Sequence, residues 1–326
     1  MNIASLGEFG LIGRIAERAG LMDGVLCGIG DDAAALEPAP GTVQLVTSDM
    51  LLEGVHFDLT YTPPELLGRK SLAVNLSDMA AMGGKPRWFL LSFGLPAATD
   101  LEFLDPFVTG MLEMAALYGV ALVGGDTCSS RSGLVINITL LGEQRPEKVL
   151  YRRGAAPGDL VCVTGTLGDS ALGLEELRSG VRQGVAVSRH LDPLPRCREG
   201  LMLAEAGIPS AMIDLSDGLL SDLRHILEQS RGGARIELDR IPLSTYFQEN
   251  AVKFFDDPMH LALSGGEDYE LLFTLRPGHW PATERLFAAL GSRVTAIGEI
   301  TAASGLQVVS RTGEPYAINY QGFRHF

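Results

Sequence analysis

Acidic residues recur beside glycine or hydroxyl residues in six segments spread over most of the chain. They read GIGDDAA at 28–34, TSD at 47–49, NLSDMAAMGG at 75–84, GGDT at 124–127, DLSDG at 214–218 and SGGEDYE at 264–270. A fold that gathers such segments must deal with their charge. Two carboxylates about 4 Å apart repel by roughly 4 kcal/mol at an effective dielectric near 20. For the same reason short carboxylates cannot touch phosphate directly, and a hard cation between them reverses the sign. Mg²⁺ takes oxygen ligands, keeps several waters, and binds through a few carboxylates plus substrate phosphates. The pattern points to a Mg²⁺-dependent enzyme of nucleotides or phosphates.

A chain of 326 residues suggests two domains at about 150 residues each. The 46% hydrophobic content supplies ordinary cores. The net charge of −14 argues against a nucleic-acid partner, whose phosphates are neutralised by Lys and Arg. It also means that an anionic substrate needs metals or a few placed bases. The cysteines, Cys27, Cys128, Cys162 and Cys197, form no CxxC pair, so a structural zinc site is not expected. They read as reduced, mostly buried thiols of a cytosolic protein. Glu8 interrupts the first apolar stretch, no signal sequence is read, and no run is long enough to span a bilayer. The expectation is a soluble, cytoplasmic chain with no membrane partner.

Periodicity predicts a helix over 8–19, a strand over 43–46 running into Thr47-Ser48-Asp49, and a long helix over 64–82. On that helix Ser71, Asn75 and Asp78 fall at i, i+4 and i+7, one shared face. A strand over 88–95 follows. Asp105-Pro106 reads as an N-cap and first-turn proline opening a helix to Tyr118. Strands are predicted at 121–123, before GGDT, and at 134–141. The stretch 142–157 is polar, holds two prolines and carries Lys148, Arg152 and Arg153, which suits a domain boundary. Beyond it come strands at 160–164, near 211–213, and at 235–238, 270–275, 294–300 and 306–309. Helices are predicted from Ser170 and over 219–230. This interspersion without a strict βαβ rhythm reads as α+β with two domains, 1–145 and 146–326, and the site assembled between them.

Each acidic segment, taken alone, has an ordinary reading too. GIGDDAA offers metal oxygens or is a glycine turn with a solvated acid pair. TSD is a metal corner, and His56 after it is a hydrogen-bond donor to a phosphate or polar substrate, or a structural histidine. Asp78 needs a partner among its apolar neighbours or faces water. The glycines of GGDT let phosphate approach the backbone. DLSDG precedes a helix whose N–H groups would point outward to a phosphate, with Ser216 beside them, or it is a plain N-cap. Glu267 faces a cationic or amine-bearing substrate or sits in a turn. Arg152-Arg153 clamps nucleotide phosphate or belongs to a solvated linker. There is no GxxxxGK[ST] loop, no protein-kinase signature set and no GxSxG elbow.

In their order along the chain, GIGDDAA, TSDMLLEGVHF, LAVNLSDMAAMGG, GGDT, RRGAAPGD, VTGTLGDSALGL, DLSDGL, SGGEDYEL and the terminal GFRHF resemble the thiamine-monophosphate kinase family. That family lies within the aminoimidazole-ribonucleotide-synthetase-like superfamily of ATP-dependent enzymes. The resemblance implies an N-terminal α/β domain for dimerisation, metal and ATP, and a C-terminal α+β domain that completes the substrate and metal site. It implies transfer of the ATP γ-phosphoryl to thiamine monophosphate, several Mg²⁺ ions, and a homodimer through the N-terminal domains. The family's metal positions fall on Asp32, Thr47, Ser48, Asp49, Asp78, Asp126, Asp214 and Asp217. Its ATP contacts fall on Gly125, Asp126, Arg152 and Ser216, and its thiamine-phosphate contacts on His56, Glu267 and Phe323.

The chemistry also suits the residues directly. A phosphate monoester has a second pKa near about 6 and is already mostly the nucleophilic dianion at neutral pH. No general acid or base is required, so metal ligands and positioning groups would carry the reaction. Two alternatives stand beside this reading. One is a superfamily relative that phosphorylates another acceptor. The other is a non-catalytic sensor of nucleotide or thiamine phosphate.

Overall fold

The computed structural model describes residues 3–20 and 22–317. It has two compact units, one formed by Met1–Met79 and Gly84–Glu147, the other by Ala80–Gly83 and Lys148–Phe326. Among the described residues, no helix is long and apolar enough to cross a membrane.

The first unit contains α1 (Ile3–Ala16), β1 (Val25–Cys27), β2 (Ala35–Leu36), β3 (Val43–Leu52), α2 (Pro64–Ala81), β4 (Lys85–Pro96), α3 (Leu101–Tyr118), β5 (Ala121–Ser130) and β6 (Val135–Gln144). Its main sheet has the order β3-β6-β4-β5. β6 runs antiparallel to β3 and β4, while β5 is parallel to β4 and reached through the crossover helix α3. Alternate residues Phe89, Leu91 and Phe93 of β4, and Ile136, Ile138 and Leu140 of β6, are buried, as are Leu72, Leu76 and Met79 of α2. Phe93 packs on Phe107 of α3, ring centroids 4.8 Å apart. Helices α2 and α3 cross in near backbone contact. A Cβ on Gly68 would lie 1.9 Å from the Phe107 carbonyl oxygen, and one on Gly110 1.9 Å from that of Glu65.

The second unit contains β7 (Leu160–Thr164), α4 (Asp169–Arg178), α5 (Val185–Leu191), α6 (Cys197–Ala206), β8 (Ala211–Asp214), α7 (Leu219–Ser230) and β9 (Gly233–Glu237). It continues with α8 (Thr245–Asn250), α9 (Met259–Ser264), β10 (Leu271–Leu275), α10 (Trp280–Leu290), β11 (Val294–Thr301) and β12 (Gly305–Val309). The sheet order is β12-β9-β11-β7-β10-β8, with β12 parallel to β9 and the other pairs antiparallel. Leu219, Leu220, Leu223, Ile226 and Leu227 form one buried stripe of α7 against Ile213, Val161 and Leu272. Phe287 of α10 stacks on Phe273 of β10, ring centroids 6.4 Å apart. Helices and mixed sheets in both units make the chain α+β.

Several element bounds differ from the sequence reading. α3 starts at Leu101, with Asp100 as its N-cap accepting the Phe103 N–H at 3.0 Å. Asp105 instead accepts a hydrogen bond from Arg14 Nε at 2.7 Å. Pro106 lies inside the helix, giving up a single i→i−4 bond. The cap was misplaced because Asp100 and Asp105 both precede helix-compatible residues, and burial of Leu104 and Phe107 decides between them. TSD lies inside β3 rather than at its end, and GGDT lies inside β5. Their strand pairing continues past the hydrophobic runs that periodicity detects.

Candidate active site

In the first unit, β3 is an edge strand whose residues alternate in face. Thr47 and Asp49 are half-buried, whereas Val46, Ser48 and Met50 are exposed. Thr47 Oγ1 donates to the Asp78 carboxylate on α2. The Asp49 N–H donates to Asn75 Oδ1 at 3.2 Å. The predicted helix face of Asn75 and Asp78 thus meets β3. Burial, and then the neighbouring charge of Asp78, push the Asp49 carboxyl up to about 7. Ser71, the third residue of that face, turns back to the Leu67 carbonyl at 2.7 Å.

Ser48 points the other way, 3.0 Å from Thr139 Oγ1 and accepting from Asn137 Nδ2 at 3.1 Å. Asp126 is on β5, at the opposite edge of the sheet from β3, in register with Ser92. Three strand spacings of about 4.8 Å separate it from β3 along the sheet. Gly125 has φ +155, and a Cβ there would lie 1.8 Å from the Leu91 carbonyl oxygen. The close approach that requires this glycine is to β4. Asp32 is exposed in the loop between β1 and β2, its N–H bonded to Asp31 Oδ1 at 3.0 Å. His56 follows β3 in a turn. Its Nδ1 accepts the Leu52 N–H at 3.0 Å, which places the proton of a neutral ring on Nε2.

In the second unit, two acidic loops are zipped together. Asp214 ends β8 and is buried. Beyond it Leu215 N–H donates to the Glu270 carbonyl, Tyr269 N–H to that of Leu215 and Glu267 N–H to that of Ser216, each at 2.8 Å. Gly266 makes this possible, since a Cβ there would sit 2.5 Å from the Ser216 oxygen. The N–H groups before α7 do not point outward as the sequence suggested. Those of Ser216, Asp217 and Gly218 all donate to Asp222 Oδ2 at 3.1 Å. Asp222 is buried, and burial followed by Asp217 raises its carboxyl to about 7 against the pull of those donors. Sequence reasoning missed it; the signal was an acid in the first turn of α7. Donor atoms of Asp217, Asp222 and His225 lie within 4.8 Å of one another.

Glu267 and Tyr269 have left-handed φ values of 67° and 48°, strain of about 1–3 kcal/mol each that clusters at functional loops. Glu267 Oε2 lies 3.2 Å from Nδ1 of buried His190. Asp268 is half-buried, its carboxyl pushed well up by desolvation, and it accepts the Gly168 N–H at 2.8 Å. Arg153 stacks over Tyr151 at 5.0 Å, while Arg152 beside it is exposed. Phe323 lies outside the described residues. A cavity of about 530 Å³ in this unit, lined by Arg240, Pro242, Trp280 and Arg293 among others, contains none of the predicted site residues.

The donor set suits Mg²⁺. Asp49, Asp78 and Thr47 offer hard oxygens. Burial first and Asp78 second disfavour the ionised Asp49 carboxylate, and a cation between the two acids would offset both.

Residues 30–144 match the AIR synthase related protein N-terminal domain, and residues 156–311 its C-terminal domain. The thiamine-monophosphate kinase of Escherichia coli (strain K12) is 39% identical over 329 residues, covering 98% of each chain. The crystal structure of thiamine-monophosphate kinase from Stenotrophomonas maltophilia K279a superposes with a TM-score of 0.85 at 37% identity, covering 97% of this chain and 99% of that one. AaThiL complexed with AMPPCP and TMP superposes with a TM-score of 0.78 at 34% identity, covering 100% and 99%. Matched over both of its units at this level, the chain belongs to the thiamine-monophosphate kinase family and is a kinase.

Proposed function

We propose that the chain transfers the γ-phosphoryl group of ATP to the phosphate of thiamine monophosphate, giving thiamine diphosphate and ADP. The observation that carries this is full-length similarity to kinases of that name, together with an acid pair that calls for a cation, Asp49 beside Asp78. The AMPPCP and TMP of the related complex fit the same pair of substrates, read as an ATP analogue and thiamine monophosphate. A phosphate oxygen of the acceptor attacks the γ-phosphorus in line, and the bond to the ADP oxygen breaks. The nucleophile is already a dianion, so no residue need remove a proton. When bound, Mg²⁺ supplies charge neutralisation between the two polyanions.

Asp32, Thr47, Ser48, Asp49, Asp78, Asp126, Asp214 and Asp217 are the proposed metal set, with Ser48 acting through its backbone, because its side chain lies on the opposite face of β3 from Thr47 and Asp49. Gly125, Asp126, Arg152 and Ser216 are the proposed ATP contacts, with Ser216 acting through its hydroxyl, because its N–H is taken by Asp222. His56 would donate from Nε2 to the substrate phosphate, Glu267 would face the cationic thiamine moiety, and Phe323 remains the proposed stacking surface. The proposed N-terminal domain, residues 1–145, carries Asp49 and Asp78, and the proposed C-terminal domain, residues 146–326, carries Glu267 and the Asp214–Asp217 loop. We further assign a homodimer to the sheet face of the first unit that exposes Val46 and Met50, 63% and 53% accessible.

The test is incubation of the purified protein with ATP, Mg²⁺ and thiamine monophosphate, with chromatographic separation of thiamine species. Thiamine diphosphate equal to the ADP formed, and lost with EDTA, is expected. ATP consumption without that product would overturn the acceptor assignment.

A further inference from the structure

The geometry points to His190 as a positioning residue for Glu267, fixing its carboxylate to meet the cationic end of the substrate. This deepens the proposed function and rests on Glu267 facing that end. His190 lies on α5 and is 4% exposed. Its Nδ1 is 3.2 Å from Glu267 Oε2 and 3.1 Å from Oγ of buried Ser170 on α4. An ionised carboxylate only accepts hydrogen bonds. The proton between His190 and Glu267 therefore sits on Nδ1, and the serine oxygen lies beside the same N–H. The one Nδ1–H of His190 thus lies between Glu267 Oε2 and Ser170 Oγ, and Ser170 on α4 helps to fix the ring that meets Glu267. The backbone of Glu267 is fixed as firmly, with φ 67° and its N–H bonded to the Ser216 carbonyl at 2.8 Å. A loop that holds a glutamate in the left-handed region and couples it to a buried imidazole keeps that carboxylate in one direction. A solvated turn would need none of this. Glu267 keeps 27% side-chain exposure, so it can still reach a ligand.

The test compares His190→Leu, His190→Asn and Glu267→Gln in the full chain by steady-state kinetics, alongside a His190→Leu/Glu267→Gln double variant. Asn can place an N–H donor near the Nδ1 position, and Leu cannot. Loss of a hydrogen bond to a charged group is expected to raise KM for thiamine monophosphate on the order of tenfold or more in His190→Leu. KM for ATP stays unchanged, and His190→Asn restores most of the loss. Adding His190→Leu to Glu267→Gln raises KM little further, because the histidine acts through the glutamate. Equal rises in both KM values, or independent multiplication in the double variant, would overturn the inference. If the wild type makes no thiamine diphosphate, or Glu267→Gln leaves KM for thiamine monophosphate unmoved, it is the underlying assignment that fails.

Discussion

Asp49 shows how a single carboxylate can cost stability while serving a site. Its pKa rises from the ordinary 3.8 to about 7, so between those values the folded chain holds a proton that the unfolded chain releases. Stability from this group therefore falls as pH rises from about 4 to 7 and is level above that. Without divalent metal, Asp49→Asn should raise the melting temperature at pH 8 by roughly 2–4 °C. The gain should vanish by about pH 3, below both pKa values, where both states are protonated. Thermal unfolding in EDTA at the two pH values checks this; an equal gain at both would assign it to packing. The same variant should lose about a hundredfold or more in turnover if Asp49 holds metal. On the nucleotide side, Arg152→Ala should raise KM for ATP by about tenfold, and Arg153→Ala by much less, because Arg153 already lies over Tyr151. The acids of both loops were legible in the sequence because they sit beside glycines and hydroxyls. Asp222 and His190 were not, since their importance comes from what they touch across space.

At the level of elements, periodicity located α2, β7 and α7 nearly to the residue, because each has an apolar stripe or run bounded by clear stops. It lost β3 and β5 beyond their apolar starts. There the strand continues through polar residues held by pairing with β6 and β4, a long-range force with no local signature. The crossing of α2 and α3 was equally invisible, since Gly68 and Gly110 look like weak spots in helices. In the structure each admits the other helix's backbone, with Cβ positions 1.9 Å from a carbonyl oxygen. Either glycine replaced by alanine should destabilise the first unit by about 2–3 kcal/mol, the usual cost of overpacking. Gly13→Ala in α1 is the control, because a Cβ there meets nothing within 4 Å. Urea unfolding followed by tryptophan fluorescence reads the unit through Trp88, which is fully buried in it. A loss no larger than that of the control would show that the helices simply shift apart.

For the whole molecule, association has to overcome charge. Each chain carries −14, so two copies repel, and salt screens that repulsion over a Debye length of about 8 Å at physiological ionic strength. The proposed homodimer face contributes Val46 and Met50, exposed on an edge strand that would otherwise invite uncontrolled pairing. Burial of that face and relief of charge make opposite predictions for Met50→Lys. If charge alone governed assembly, adding a cation to an acidic chain would tighten the dimer. If the apolar face governs it, the lysine must be desolvated at the interface and the dimer falls apart, even though the substitution is at an exposed position that costs the monomer little. We expect light scattering to give twice the chain mass for the wild type and the single-chain mass for Met50→Lys, with added salt tightening the wild-type dimer. A Met50→Lys variant that remains dimeric would move the interface to another surface.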